Sequence, residues 1–258
     1  MCRENQYAGC IVFPFFPKRS FWSVIVIYQY LLSSIRQEYE TVKVLKDGER
    51  GSVVLLRHRR TGKRFVFRRY RGNGDVYSKL LEVSCPNLPQ IMEVAAQGEN
   101  VAVLEEYIQG DSLSFLLENS LFTQAETRKI ARQLCSALWV LHSFGAVHRD
   151  VKPENVILRG RQAVLIDFDA SRIVKDAQPS DTQVLGTTGY AAPEQYGIAQ
   201  TDARADIYSL GVLMNVLCTG KHPSVKLAGG RLGRIIQKCT MIAPNHRYRS
   251  VEALMEVL

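Results

Sequence analysis

The clearest periodic pattern in the chain is that of an amphipathic helix over residues 123–142. Its apolar positions recur at helical spacing, at Ile130, Leu134, Leu138 and Leu141. Thr123 and Glu126 stand three residues apart just before these positions, which is the spacing of a capping box and predicts where the helix begins. Trp139 and His142 lie on the same helix, and we interpret both as packing residues rather than ligands.

Short apolar runs precede this helix and are separated by turns that contain glycine. They lie at residues 39–44, 53–56, 65–68, 91–94 and 101–104. This pattern predicts a β-rich first part of the chain. The length of 258 residues, of which 46% are hydrophobic, is sufficient for one large or two small domains with a buried core.

Residues 1–35 form an apolar extension whose role the pattern leaves open. The longest apolar run, at residues 21–32, is shorter than the roughly 20 residues that a membrane-spanning helix needs. No small-residue cleavage site follows it, so a signal peptide is not indicated. Three interpretations remain: contact with a membrane surface through residues 10–32, a strand or helix packed on the small domain, or an extension with no selected role. We favour the last.

The chain is basic, with a net charge of +8. Part of the excess lies around one predicted hairpin, at Arg59, Arg60, Lys63, Arg64, Arg68, Arg69 and Arg71. No recognition helix or interleaved aromatic pattern accompanies the cluster, so we expect a solvated face near a phosphate site and no nucleic-acid partner. The six cysteines are scattered without a C-x-x-C pair, which predicts neither zinc nor a disulfide framework and is typical of a reduced cytoplasmic protein.

Three motifs in the second half of the chain carry its candidate chemistry. They are HRDVKPEN at residues 148–155, DFD at residues 167–169 after a short apolar run, and GTTGYAAPE at residues 186–194. Six fixed positions in the first motif arise by chance about once in 10⁷–10⁸ positions, so accident is negligible once two further motifs follow in order.

These motifs resemble the catalytic loop, the D-F-G element and the A-P-E element of protein kinases. The stretch GTTGYAAPEQY is most similar to the bacterial branch of the eukaryotic-like Ser/Thr kinases. The resemblance covers residues 36–258 and implies an α+β, two-lobed protein kinase fold, with a small β-rich N-lobe at 36–106 and a larger helical C-lobe at 107–258. It also implies a cytoplasmic enzyme that uses ATP and Mg²⁺ to phosphorylate Ser or Thr hydroxyls of protein substrates.

The resemblance assigns the reaction to four residues. Asp150 is expected to accept the proton of the substrate hydroxyl, and Lys152 to stabilise charge that develops on the γ-phosphate. Asn155 and Asp167 are expected to supply oxygen ligands for Mg²⁺. Lys152 also favours Ser/Thr over Tyr as the acceptor.

The β-rich part is expected to bind the phosphates of ATP. Gly48, Gly51 and Val53 match the end of the kinase glycine-rich loop, in which Lys46 replaces the first glycine. Arg68 stands where the phosphate-binding lysine is expected. Arginine carries the same charge on a larger planar group, so the geometry of its contact with the phosphates would differ from that of a lysine.

The partner of Arg68 is expected to be an acidic residue on the next helix. Asp75 lies near the expected place, which predicts an Arg68–Asp75 ion pair; the alternative, that Asp75 only caps that helix, is equally open. Glu105 falls at the back of the nucleotide pocket, where an apolar residue is usual. The hinge that would meet adenine is expected at Glu106, Tyr107 and Ile108.

The segment from Asp167 to Glu194 resembles the kinase activation loop. Thr182 is the first candidate for a phosphorylated residue in it, and Ser180 is the second. Arg149 precedes the catalytic Asp, and kinases with this arginine commonly use it to hold a phosphorylated loop residue.

Four further residues are expected to support the site without taking part in the reaction. Thr187 is expected to orient the catalytic Asp150. Glu194 of the A-P-E element needs a buried partner, which is expected to be Arg247. Asp206 resembles the residue of a buried helix that supports the catalytic loop.

Departures from the family pattern support a second hypothesis, a pseudokinase that binds nucleotide or a partner without turnover. They stand at Lys46, Arg68, Glu105 and Asp169. An active kinase is favoured because the base and the metal ligands are all retained, at Asp150, Lys152, Asn155 and Asp167. A small-molecule phosphotransferase is disfavoured because an activation loop and an A-P-E element position a polypeptide. The sequence indicates neither the particular substrate, nor the activating signal, nor the oligomeric state.

Overall fold

The computed structural model of the chain describes residues 11–12, 21–49, 51–174, 187–196 and 201–258. The described residues divide into two compact units: a small unit within Ile11–Cys85 and Pro89–Ile108, and a large unit within Pro86–Leu88 and Gln109–Leu258. The sequence predicts a division between residues 106 and 107, with residues 1–35 set apart from both parts. In the structure, the described part of residues 11–35 belongs to the small unit, and residues 86–88 belong to the large unit.

The small unit contains a five-stranded antiparallel sheet. Its elements are β1 (Ile11–Val12), α1 (Phe21–Glu38), β2 (Tyr39–Gly48), β3 (Gly51–His58), β4 (Arg64–Arg71), α2 (Asp75–Leu80), β5 (Val83–Ser84), β6 (Ile91–Gln97) and β7 (Asn100–Glu106). The strand order of the sheet is β2-β3-β4-β7-β6, and β1 pairs with β5 separately. This order makes β4 and β7 neighbours although they are distant in sequence.

Helix α1 packs on one face of this sheet. Tyr28 and Leu31 are buried in a cluster with Leu56, Phe67 and Leu104 of three central strands. From the sequence we favoured an extension with no selected role. The structure instead shows the second interpretation for this helix, a helix packed on the small domain. None of the described helices is long and apolar enough to cross a bilayer.

We expect Leu31→Ala to lower the free energy of unfolding by about 2–5 kcal/mol, because the side chain is 2% exposed and its truncation leaves a cavity. Denaturant unfolding measures this change. The matched control is Tyr30→Ala on the same helix, which is 70% exposed and should change the free energy by about 0.5 kcal/mol or less. Equal losses for the two variants would show that α1 does not pack on the sheet in solution.

The large unit is mainly helical. Its elements are β8 (Asp111–Ser112), α3 (Leu113–Leu117), α4 (Gln124–Ser143), β9 (Ala146–Val147), β10 (Val156–Arg159), β11 (Gln162–Leu165), β12 (Arg172–Ile173), α5 (Ala203–Thr219), α6 (Gly230–Cys239) and α7 (Val251–Met255). Strand β10 pairs with β8 and β11, and β9 pairs with β12. The predicted α+β class, with a small β-rich part and a larger helical part, is confirmed.

Helix α4 forms the centre of the large unit, as its sequence pattern predicts. The four apolar positions are all buried, at Ile130, Leu134, Leu138 and Leu141. The capping box is present: the N–H of Glu126 donates to Thr123 Oγ1 at 3.2 Å, and the N–H of Thr123 donates to Glu126 Oε2 at 2.9 Å. The predicted helix and its start are both confirmed.

The state of the cysteines differs from the sequence expectation at one position. Cys85, which is buried, takes part in a disulfide bond. The prediction of reduced cysteines throughout is therefore wrong for this residue. Cys135, Cys218 and Cys239 are free thiols, as expected. Burial raises the pKa of the Cys135 thiol well above its usual range, so it stays protonated and unreactive at neutral pH.

Candidate active site

The catalytic-loop motif lies between β9 and β10 and contains a strained residue. The chain closes a 3₁₀ turn at Pro153–Asn155 just before β10, and proline suits the start of such a turn because it fixes φ and has no N–H to satisfy. Arg149 has a φ of 70°, a left-handed conformation that costs a non-glycine residue on the order of 1–3 kcal/mol. Such a conformation persists only where neighbouring groups hold it.

Asp206 is the group that holds this strained turn. It is fully buried in α5, where its Oδ2 accepts the N–H of His148 at 2.9 Å and its Oδ1 accepts the N–H of Arg149 at 2.8 Å. His142 Nε2 also lies 2.8 Å from Oδ2. Burial alone would raise the pKa of Asp206, but the hydrogen bond with His142 and the nearby His148 lower it overall. Asp206 therefore contacts the catalytic loop as predicted, and His142 is its partner rather than a packing residue only.

The Asp150 carboxylate is fixed by three neighbours. Thr187 Oγ1 donates to Asp150 Oδ1 at 2.7 Å, and Lys152 Nζ lies 2.8 Å from Oδ2. Asn155 Nδ2 donates to Oδ2 and to the Asp150 carbonyl, both at 2.9 Å. The Lys152 ammonium also donates to Thr187 Oγ1 at 2.6 Å. The structure thus brings together four of the residues named from the sequence, with Thr187 against Asp150 as expected. Their catalytic roles stay predictions.

A backbone hydrogen bond joins the residue before Asp167 to Asn155. The N–H of Ile166 donates to the Asn155 carbonyl at 2.9 Å, which joins the end of the apolar strand to the catalytic loop. Because the Asn155 amide nitrogen binds Asp150, its Oδ1 is the atom left to face a cation. Asp167 has a φ of 69° and is the second strained non-glycine residue among the described ones. No cluster of three or more His, Cys, Asp or Glu side chains in the described ranges could hold a metal ion by itself.

Phe168 packs beneath the catalytic loop within the large unit. It is 1% exposed, and its ring meets the His148 ring edge-on with centroids 5.4 Å apart. Burial lowers the pKa of His148 although nearby carboxylates oppose the change, so its imidazole is neutral at pH 7. His148 is therefore a packing and positioning group of the loop rather than a charged one.

Glu194 and Arg247 form the buried ion pair that the sequence predicts. Arg247 Nη1 binds Oε1 at 2.6 Å and Nη2 binds Oε2 at 2.8 Å, the two-pronged geometry that suits a guanidinium and a carboxylate. Arg247 also donates to three backbone carbonyls, and its guanidinium carbon lies 4.9 Å from the Tyr208 ring centroid. The pair links the A-P-E element to α5 and to the segment before α7.

The glycine-rich turn joins β2 and β3 in the small unit. Gly51 has a φ of 146°, and a side chain there would bring its Cβ to 2.1 Å from the Arg69 carbonyl oxygen. The fold alone thus requires glycine at this position, in addition to any approach of a phosphate. Gly48 meets no such obstacle. Val53 stands directly opposite Arg68 in the β3–β4 register.

Arg68 is paired with Glu105, and this overturns the predicted Arg68–Asp75 pair. Arg68 Nε and Nη2 donate to Glu105 Oε1 at 3.0 and 2.8 Å. Asp75 is exposed in the first turn of α2, where its Oδ2 accepts from Asn73 Nδ2 and its N–H donates to Asn73 Oδ1. Asp75 is not the N-cap either, since Gly74 occupies that position. Other arginines and lysines of the predicted basic hairpin are exposed, whereas Arg68 is buried.

The predicted hinge residues follow the end of β7. The N–H of Glu106 donates to the Gln90 carbonyl at 2.8 Å, and Glu106 Oε2 accepts the N–H of Gln90 at 3.1 Å. The backbone N–H and the carboxylate of Glu106 are therefore both bound to Gln90 within the small unit. Tyr107 is half-buried and Ile108 is buried. The candidate phosphorylated residues Thr182 and Ser180 lie outside the described residues.

Three side chains make contacts at the catalytic loop or with Arg68 that were not predicted from the sequence. Glu105 was noted only as an unusual residue of the pocket, His142 only as packing, and Gln195 not at all. Gln195 is fully buried, and its Nε2 donates to the Arg149 carbonyl at 2.9 Å. A polar residue inside an otherwise apolar stretch was the signal available for Glu105, because a buried charge requires a partner.

Comparison with known proteins identifies relatives of this chain. The model of the protein kinase domain matches residues 39–252. Serine/threonine-protein kinase pkn2 of Myxococcus xanthus is 32% identical over 184 residues, which is 68% of this chain and 22% of that protein. The probable serine/threonine-protein kinase PknB of Corynebacterium glutamicum is 39% identical over 137 residues, 51% of this chain and 21% of that protein. Serine/threonine-protein kinase 1 of a Heliothis zea nuclear polyhedrosis virus is 30% identical over 209 residues, 74% of each chain.

The chain belongs to the protein kinase family. Within that family it is of the bacterial, eukaryotic-like serine/threonine type, as GTTGYAAPEQY indicates and the bacterial relatives confirm. It spans about a fifth of the length of the two bacterial relatives.

Proposed function

We propose that this chain transfers the γ-phosphoryl group of ATP to Ser or Thr hydroxyls of a protein substrate. The contact set around Asp150 is the observation that carries the proposal. Three neighbours fix the orientation of its carboxylate, yet the side chain keeps 16% of its surface exposed, so a hydroxyl can still reach it. An oriented, accessible carboxylate is what a general base requires.

In the proposed reaction the hydroxyl oxygen of the substrate attacks the γ-phosphorus of ATP. The bond from that phosphorus to the β–γ bridging oxygen breaks, ADP leaves, and the hydroxyl proton passes to Asp150. Lys152 neutralises charge that develops on the γ-phosphoryl oxygens. Thr187 keeps Asp150 directed at the hydroxyl through the hydrogen bond between their side chains.

The residues present fit a Mg²⁺ ion. Asn155 and Asp167 would hold it, since a carboxylate and a neutral oxygen combined with nucleotide phosphates suit a hard cation. When bound, the ion neutralises charge on the β- and γ-phosphates. In the small unit, the proposed contacts to ATP come from the glycine-rich turn, Arg68 and the hinge, which comprise Gly48, Gly51, Val53, Arg68, Glu106, Tyr107 and Ile108.

We propose the cytoplasm as the working compartment, because the reaction depends on ATP. Contact with a membrane surface through residues 10–32 stays a hypothesis. Tyr28 and Leu31 do not support it, because both side chains are already buried against the sheet. Nucleic acid is not proposed as a partner.

The proposal is tested by incubating the chain with γ-labelled ATP, Mg²⁺ and a Ser/Thr-rich acceptor protein. We expect acid-stable label on Ser and Thr, release of ADP in equal amount, and loss of both when EDTA removes the metal. Label on Tyr alone would refute the Ser/Thr specificity. No label, with ATP still raising the melting temperature, would establish the pseudokinase instead.

Autophosphorylation provides a separate prediction. We expect mass spectrometry of the labelled chain to find phosphate at Thr182 first and at Ser180 second, because Arg149 next to the catalytic Asp is suited to hold a phosphorylated loop residue. Thr182→Val with the control Ser171→Ala tests the assignment. Ser171 is buried and donates to the His148 carbonyl, so it is not expected to accept phosphate. Unchanged labelling of Thr182→Val would assign the site elsewhere.

A further inference from the structure

The pairing of β4 with β7 places Arg68 and Glu105 on the same face of the small-unit sheet. Arg68 stands opposite Val103, and Glu105 stands opposite Val66. Side chains alternate between the faces of a strand, so the residue two positions beyond a direct partner shares its face and lies within reach of a long side chain. The strand register therefore directs both charged groups to one place. Helix α1 packs on the other face, against the adjacent residues Phe67 and Leu104.

The contact between the two groups is short and buried. Both residues are 3% exposed, and two nitrogens of Arg68 donate to the same oxygen of Glu105, at 3.0 and 2.8 Å. A buried charge is strongly unfavourable without an opposite charge, so each group holds the other. A guanidinium presents five N–H donors along planar edges, whereas an ammonium is a compact point charge with three donors. An arginine is therefore better suited than a lysine to meet the Glu105 carboxylate with two nitrogens at once.

Helix α2 presents an aromatic ring to Arg68 instead of a carboxylate. Tyr77 of α2 is fully buried, and its ring centroid lies 5.6 Å from the Arg68 guanidinium carbon. The acidic residues of this region point elsewhere: Asp75 is exposed and bound to Asn73, and Glu82 is exposed beyond the end of α2. The helix that would be expected to supply a carboxylate partner for the phosphate-binding cation thus presents the Tyr77 ring to it, in a cation–π contact.

We propose that Glu105 is the positioning residue for Arg68 and takes over, from the neighbouring strand, the task expected of a carboxylate on α2. The inference rests on the proposed function, in which Arg68 binds the phosphates of ATP. Both partners belong to paired strands of one sheet, so the pair does not depend on where α2 lies. In this proposal no carboxylate on α2 is needed to hold the phosphate-binding cation in place.

Two single substitutions separate Glu105 from Asp75 as the residue that positions Arg68. Glu105→Gln keeps the size and a hydrogen-bond acceptor but removes the charge, and we expect it to lower kcat/KM for ATP on the order of 10²-fold, because Arg68 is no longer held in place. Asp75→Asn should leave kcat/KM within about twofold of wild type. The readouts are steady-state phosphoryl transfer to an acceptor protein and the melting temperature of each variant.

A double-substitution cycle shows whether Glu105 acts through Arg68. The cycle compares the single variants Arg68→Met and Glu105→Met with the variant that carries both changes. The double variant leaves no unpaired buried charge, so it is expected to fold. If Glu105 acts through Arg68, the double variant has the same kcat/KM as Arg68→Met alone. Independent roles would multiply the two losses, and this would overturn the proposal.

The outcomes distinguish this inference from the proposed function. An inactive wild type refutes the function and the inference together. If the wild type is active, two results would refute the inference alone. One is a Glu105→Gln variant with the wild-type kcat/KM, and the other is an Asp75→Asn variant whose kcat/KM falls on the order of tenfold or more. A Glu105→Gln protein that melts earlier but turns over normally would assign Glu105 a purely structural role and would also refute it.

Discussion

Asp150→Asn is expected to lower kcat about 10²–10⁴-fold, which is the contribution of a general base, with little change in KM for ATP. The substitution preserves the size of the side chain and an oxygen that can accept the hydrogen bond from Thr187. In the wild type, Thr187 Oγ1 lies 2.7 Å from Asp150 Oδ1. It removes the group that takes the proton and the partner of the Lys152 ammonium. Initial rates of ADP release and of acceptor labelling, at saturating and limiting ATP, measure the change.

The matched control for this prediction is Glu118→Gln. Glu118 is an exposed carboxylate of the same unit that follows α3, and its neutralisation should leave kcat unaffected. Nucleotide binding by the Asp150 variant, followed by its melting temperature with ATP, verifies that the site is still folded. A kcat within about threefold of wild type would exclude Asp150 as the base.

Arg247→Met is expected to lower the free energy of unfolding by about 3–5 kcal/mol, because it leaves the buried Glu194 carboxylate without its partner. Three backbone carbonyls that accept hydrogen bonds from Arg247 would also lose their donor. Denaturant unfolding followed by circular dichroism measures the loss. Activity should fall with it, because the pair anchors the A-P-E element in the large unit.

Two further variants define the origin of that loss. Substitution of both Glu194 and Arg247 by Met removes the unpaired charge, so we expect it to recover part of the stability that Arg247→Met loses. Arg204→Met removes the half-exposed pair with Asp202 and should cost about 1 kcal/mol or less. Equal losses for Arg204→Met and Arg247→Met would show that the burial of the ion pair is not what stabilises the unit.

Local sequence patterns predicted the elements whose information is itself local. Helix α4 begins at the predicted capping box, and its apolar face is buried, because both features depend on residues within a few turns of one another. The motif HRDVKPEN likewise places Asp150, Lys152 and Asn155 within one loop, so their proximity follows from spacing alone. The role of each in catalysis remains a prediction.

Contacts between distant residues were predicted only where a family pattern supplied the pair. The Glu194–Arg247 pair and the Thr187–Asp150 contact came from the resemblance to protein kinases, and the structure contains both. Where this chain departs from that pattern, the same reasoning failed. It offered Asp75 either as the partner of Arg68 or as a helix cap, because proximity in sequence to the next helix was the only guide, and the structure shows neither.

Residues close together along the chain were sufficient to predict the family, the catalytic motifs and the main helix of the large unit, since each of these is a local pattern. Three contacts became visible only in the folded chain: Arg68 with Glu105, His142 with Asp206, and α1 with the sheet. These contacts depend on strand register and on packing between elements far apart in sequence. A buried charge takes the opposite charge that the fold brings within reach, and no local pattern specifies which residue that is.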